Sequence, residues 1–321
     1  MSNQLADTLT ESTARSPTVA DRSFAQWLWR LAKDVLFFVY LHGGYVQLRD
    51  ALRSLMGRSR VVVLYYHRVG GSDVLTKPLI VFRNELEYLK KNYECIGLAD
   101  LCARLRSKRP FRRRAAVITF DDGYRDNFTV AFPALKEAEL TATFFVATGF
   151  IGTRREFPHD LGEHVEGPPD SRHFPKLTWD DLRAMQQAGF EIGSHTINHT
   201  SLGQADSEII TQEVRGSLDA LNQHLGQAPR PFSFPWGKRV DISERAIEEV
   251  KRAGYYAAAS ACGGANGRGS ETFAIKRIDV GNGRMSKLAV RARIAGLDTE
   301  YGRTEKSKKA IVERNRDEVE D

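Results

Sequence analysis

Cysteine is scarce: three residues in 321, at Cys95, Cys102 and Cys262. They are too few and too scattered for a disulfide framework or a four-thiolate zinc site. Long apolar runs are absent as well. No segment approaches the ~20 consecutive apolar residues that a membrane-spanning helix requires. The best run, Val35 to Leu41, follows Arg30, Lys33 and Asp34. The first 23 residues are polar and rich in Ser and Thr, with no hydrophobic region leading to a small-residue cleavage site. They read as a disordered leader, and the expectation is a cytoplasmic or peripheral membrane protein. Neither charge sign dominates, since 47 Lys and Arg against 41 Asp and Glu leave +6. With 41% apolar and 27% charged residues, collagen-like, low-complexity and wholly disordered chains are excluded.

Four regions follow from the texture of the chain. After the leader (1–23), an amphipathic helical extension occupies 24–58. Phe24, Trp27, Leu28, Leu31, Val35, Phe38 and Val39 recur at helical spacing, Gly43-Gly44 stops the helix, and Tyr45 to Met56 forms a second one. Such helices either lie on a membrane surface or pack on the main domain. The main domain spans 60–295, and 296–321 is a charged tail. Within the domain, apolar runs at Val61–Tyr66, Ala115–Phe120, Thr141–Ala147, Phe190–Gly193, Arg230–Phe234 and Tyr255–Ala259 alternate with helical patterns. That alternation implies an α/β fold of parallel strands with helices outside, in an open sheet or a barrel. Gly149 to Lys176, rich in Pro, Gly, His and charge, reads as a long functional or mobile loop.

Three segments at strand ends carry the chemistry. Thr119-Phe120-Asp121-Asp122-Gly123-Tyr124 places two carboxylates where parallel α/β folds build their sites. Adjacent side chains diverge, so one can bind a metal while the other acts as a base. Taken alone, Asp-Asp-Gly is equally good turn chemistry. In Ser194-His195-Thr196-Ile197-Asn198-His199, a helical turn would aim His195 and His199 at one ion. Two imidazoles and a carboxylate form a common catalytic metal set with positions left open. His67, in Tyr65-Tyr66-His67-Arg68-Val69, is either a general acid or a satisfied turn histidine.

These motifs, with Phe234-Pro235-Trp236-Gly237, resemble the polysaccharide deacetylases of the NodB-homology type, the fourth carbohydrate esterase family. The resemblance covers about residues 60–295 and implies a distorted (β/α) barrel, one divalent metal ion, usually zinc, and hydrolysis of acetamido groups on sugars. It assigns Asp121 as general base and Asp122, His195 and His199 as metal ligands. Family members usually carry an Arg two residues before the Pro of the third motif, where Ser233 stands here, with Arg230 and Lys238 as candidate replacements. They also often carry a late acid histidine, and no His follows His224. A subgroup that includes poly-N-acetylglucosamine deacetylases places this histidine early, in Tyr-His-x-Val, which makes His67 the acid candidate. The backbone N–H of Tyr124 would then hold the oxyanion, and Pro235 and Trp236 would wall a sugar groove. Arg277 and Asp279, in a late Arg-Ile-Asp-Val strand, either orient the base or form an ordinary surface pair.

The expected substrate is an N-acetylated glycan polymer or lipid-linked sugar. Rival readings are a non-catalytic glycan-binding or assembly protein on the same fold, and a deformylase or small-amide hydrolase. Arg104 to Arg114 holds seven basic residues and no acid, so residues 24–56 and 104–114 are candidates for membrane contact. No reader motif accompanies the basic run, which argues against nucleic acid.

Overall fold

The computed structural model describes residues 19–71, 76–160, 174–281 and 285–297, with side chains from residue 27 onward. The expected leader up to residue 18 and the tail from residue 298 lie outside them.

Runs of β-branched and aromatic residues form the centre of the sheet. Val61–Tyr66 is β1 and Ala115–Phe120 is β3, paired in parallel from Val61 opposite Ala115 to Tyr66 opposite Phe120. Both are buried on both faces, as parallel strands between helices must be. Glu94–Cys95 (β2) borders the first residues of β3, while Thr143–Val146 (β4) borders its last. Glu191–Ser194 (β5), Pro231–Ser233 (β6), Ala257–Ala259 (β7) and Ile278–Asp279 (β8) complete the parallel order β7-β6-β5-β4-β3-β1-β8.

The two ends of this order come together through one extended segment. Ile275 bridges Ala259 beyond β7, and three residues later Ile278 pairs with Leu64 of β1. The sheet therefore curls into the expected distorted barrel, with residues 275–279 as its closing stave. Phe120 lies on the helix-facing side of the sheet, stacked on Tyr66 at 5.3 Å and on Phe144 at 4.8 Å, with the Phe82 ring 5.9 Å away.

The connections are mostly helical: Leu79–Asn92 (α3), Leu98–Arg106 (α4), Phe132–Glu137 (α5), Trp179–Gln187 (α6), Ser207–Leu225 (α7), Glu244–Ala253 (α8) and Lys287–Ile294 (α9). Thr178 caps α6 as the sequence suggests, accepting from the Asp181 N–H while Asp181 accepts in return. Two helices precede the barrel, Val19–His42 (αA) and Tyr45–Leu55 (αB). Gly44, at φ 85°, makes the bend between them, a conformation that glycine adopts without strain. Phe37, Leu41 and Val46 are buried against Ala292 and Ala295 at the end of α9. Tyr40 also donates to the Ala295 carbonyl at 3.3 Å.

Candidate active site

The site is built at the C-terminal ends of the strands. After β3, the Asp121 N–H still continues the sheet, donating to Tyr66 O at 2.9 Å. The chain then turns sharply, with Asp122 at φ 74° and Gly123 at φ 90°. A Cβ on Gly123 would lie 3.1 Å from both Val146 and Ile151, so a larger residue would crowd those side chains as well as strain the backbone. This turn sends the two neighbouring carboxylates to different partners.

Asp122 meets the histidines. Its Oδ1 lies 3.6 Å from His195 Nε2 and 3.3 Å from His199 Nε2. The helical turn expected at His195–His199 is not formed. Thr196 and His199 are left-handed, at φ 66° and 57°, and this tight turn brings the imidazoles together instead. Glu213 of α7 holds it, accepting from the N–H groups of Ile197 and Asn198 at 2.8 Å each and from the Asn198 amide. From the other side, the Thr148 and Gly149 N–H groups donate to the carbonyls of Thr196 and Ile197. Glu213 carries no local motif and was not legible as a site residue.

The donor set fits a divalent cation. Asp122, His195 and His199 are all buried, and their ligand atoms lie within 4.8 Å of one another. Both Asp122 carboxylate oxygens are buried without a hydrogen-bond donor among the described residues. His195 Nδ1 lies 2.8 Å from the Ser233 carbonyl and must donate to it, which leaves an Nε2 lone pair facing Asp122. Burial pushes the His195 pKa down to about 4, so at neutral pH that ring is uncharged and two acceptors face each other. Burial alone would raise the Asp122 pKa, but His159 and His199 outweigh it and hold the carboxyl well below the usual range.

Asp121 meets Arg277. The guanidinium donates from Nη1 to Oδ1 and from Nη2 to Oδ2, each at 2.7 Å. Nη2 also donates to Ser233 Oγ at 2.8 Å, and Nε to the Ser260 carbonyl at 3.0 Å. Thus the closing stave of the barrel braces Asp121, and Ser233, where the resemblance leads one to expect an Arg, accepts from Arg277 instead. Arg230 instead donates to the Ile192 and Gly226 carbonyls, and Lys238 is exposed. Burial works to raise the Asp121 pKa, but Arg277 overrides it and the net shift is downward.

A cavity of about 590 Å³ joins these groups to His67, Tyr124, Trp236 and Asp279. His67 is exposed on its wall, its carbonyl held by the Asn127 amide at 2.7 Å. Asn127 begins a π-helical turn, Asn127–Ala131, ahead of α5. Trp236, at φ 60° and 46% exposed, sets its indole 5.2 Å from the His199 ring. Pro235 does not share that wall: it is buried, and Phe234 lines the cavity instead, because the turn at Trp236 swings only the indole outward. Asp279 is exposed at the mouth, accepting from the Gly281 N–H.

The long loop contributes a residue that the motifs did not single out. His159 Nε2 lies 3.5 Å from Asp122 Oδ2 and 3.0 Å from the Tyr124 hydroxyl. That hydroxyl donates to Asp160 Oδ2 at 2.7 Å. The only sequence signal was the His content of residues 149–176.

Residues 108–258 match the family model described as polysaccharide deacetylase. Over those residues the chain resembles that family. It is 26% identical over 240 residues to YxkH of Bacillus subtilis, covering 74% of this chain and 77% of that protein. It is 24% identical over 202 residues to the poly-β-1,6-N-acetyl-D-glucosamine N-deacetylase of Escherichia coli K12, covering 54% of this chain but only 29% of that enzyme. The structure of IcaB from Ammonifex degensii superimposes with a TM-score of 0.61 at 22% identity, over 74% of this chain and 97% of that one, and shares the fold.

Proposed function

We propose that the chain is a metal-dependent hydrolase that removes N-acetyl groups from an acetamido-sugar polysaccharide. One observation carries this reading: a buried Asp-His-His cluster and an Arg-braced carboxylate open into the same cavity. A bare glycan-binding surface has no use for the second carboxylate. Similarity to a poly-N-acetylglucosamine deacetylase supports the choice of glycan.

Asp122, His195 and His199 would hold the ion, and their carboxylate and imidazole donors suit zinc. When bound, such an ion lowers the pKa of a water ligand and polarises the acetamide carbonyl. Asp121, kept ionised and fixed by Arg277, takes a proton from the attacking water. The Tyr124 N–H, which donates to no backbone carbonyl among the described residues, would stabilise the oxyanion. His67 donates a proton to the leaving sugar amine, which departs poorly as an anion. Trp236 offers an apolar face for a sugar ring, and Asp279 with Arg293 marks the mouth.

The test is acetate release from a panel of N-acetylated glycans, including poly-β-1,6-N-acetylglucosamine, with and without chelator. Release that stops with chelator and with Asp121→Asn is expected. Release that persists in both would overturn the mechanism, and no release from any glycan would overturn the activity.

A further inference from the structure

The helical hairpin αA–αB has two apolar sides. One is spent on α9 through Phe37, Leu41 and Val46. The other is open: Leu31, Val35 and Phe38 on αA and Leu48, Leu52 and Leu55 on αB are all exposed, Leu55 to 81%. Their spacing makes a stripe along each helix, a pattern that water-facing helices avoid. No helix among the described residues is long and apolar enough to cross a membrane.

The basic loop is fastened to this apolar face. Arg58 and Phe111 form a β-bridge, the Ser59 N–H donates to Phe111 O at 2.9 Å, and Ser54 Oγ donates to the Arg112 carbonyl. Those contacts set exposed Lys108, Arg109 and Arg112 beside the exposed end of αB. None of the three forms an ion pair among the described residues. The acids nearby are engaged: Asp34 accepts from Ser286, Asp50 pairs with Arg49 and Arg114, and Glu94 pairs with Arg104. Between hairpin and barrel, a cleft of about 780 Å³ gathers six Lys and Arg side chains against two carboxylates.

We propose that the αA–αB hairpin and the 106–114 loop form one face that docks on a bilayer surface containing anionic phospholipid. The apolar stripes enter the headgroup boundary, and the cations that form no ion pair among the described residues, Lys108, Arg109 and Arg112 of the loop with Lys91 and Arg113 of the cleft, take up lipid phosphates. The border of free positive charge favours this partner over a second copy of the chain, which would set like charges together. Each exposed Lys or Arg near such a surface is worth about fivefold in partitioning. The proposal is independent of the hydrolytic reading.

The experiment is flotation of the full chain with vesicles of phosphatidylcholine alone or mixed with phosphatidylglycerol. Flotation with the mixed vesicles, weakened by salt and weak or absent with phosphatidylcholine, is expected. Leu48→Glu/Leu52→Glu should reduce flotation at least about tenfold. Arg109→Glu/Arg112→Glu should abolish the preference for phosphatidylglycerol. These positions are exposed, so circular dichroism melting should match wild type. No flotation with mixed vesicles overturns the proposal, as does equal flotation with both compositions. A dimer that Leu48→Glu/Leu52→Glu dissociates, in a chain that binds no vesicle, overturns it in favour of a second copy.

Discussion

Arg277 grips both carboxylate oxygens of Asp121 at 2.7 Å across 156 positions of sequence. The pair is buried, with the Arg277 side chain only 1% exposed. Removing either partner leaves a charge in a medium that solvates it poorly. Arg277→Met should therefore cost about 3–5 kcal/mol in denaturant unfolding. Arg277→Lys keeps the charge but loses the fork, so more stability should survive while acetate release falls about 10–100-fold. A double-mutant cycle with Asp121→Asn measures the coupling. Full activity in Arg277→Lys would refute the bracing role.

Metal content separates the two neighbouring aspartates. Asp122→Asn and His195→Ala should each lose the bound ion, measured as metal per chain by mass spectrometry. Asp121→Asn should retain it while acetate release disappears. The reverse pattern would exchange their roles.

Glu213 offers a test of how the histidine turn is held. Glu213→Ala strands the N–H groups of Ile197 and Asn198, at about 1–3 kcal/mol each. Metal affinity should fall about 10–100-fold as His199 loses its fixed position. Titration with a competing chelator reads the change, and unaltered affinity would mean that the contacts of Thr148 and Gly149 suffice.

Lys77 and Glu85 form a second buried pair, at 2.6 Å, beside the cavity. Tyr66 donates to the same carboxylate at 3.0 Å, and Lys77 also donates to the Val280 carbonyl. Glu85→Leu should destabilise by about 3–5 kcal/mol, and Lys77→Met added to it should restore much of the loss. Equal stability of wild type and Glu85→Leu would show that the ammonium is hydrated despite its surroundings.

The parts legible in the sequence are those whose signal is local. β1 and β3 are short buried runs dominated by apolar residues, and Asp121-Asp122 and His195–His199 follow strands directly. Sequence reading failed where geometry depends on distant chain. Ser233 looked like a missing brace because the Arg that serves it enters from the closing stave. His159 arrives through a loop whose composition gives no register. The histidine turn looked helical because the spacing of its ends is the same in both conformations, and only the left-handed Thr196 and His199 distinguish them. Pro235 shares a motif with Trp236 yet faces inward, since one positive φ separates their directions.

The order in which the chain is synthesised now matters. Asp121, Asp122, His195 and His199 all precede the stave that joins β7 to β1. Until that stave docks, the proposed base has no counter-charge for its burial, and the cavity lacks one wall. A chain truncated before residue 275 would possess every motif residue of the metal site without a competent site. Hydrolytic capacity is thus tied to completion of the fold, and the last strand among the described residues acts as a check that the protein is whole.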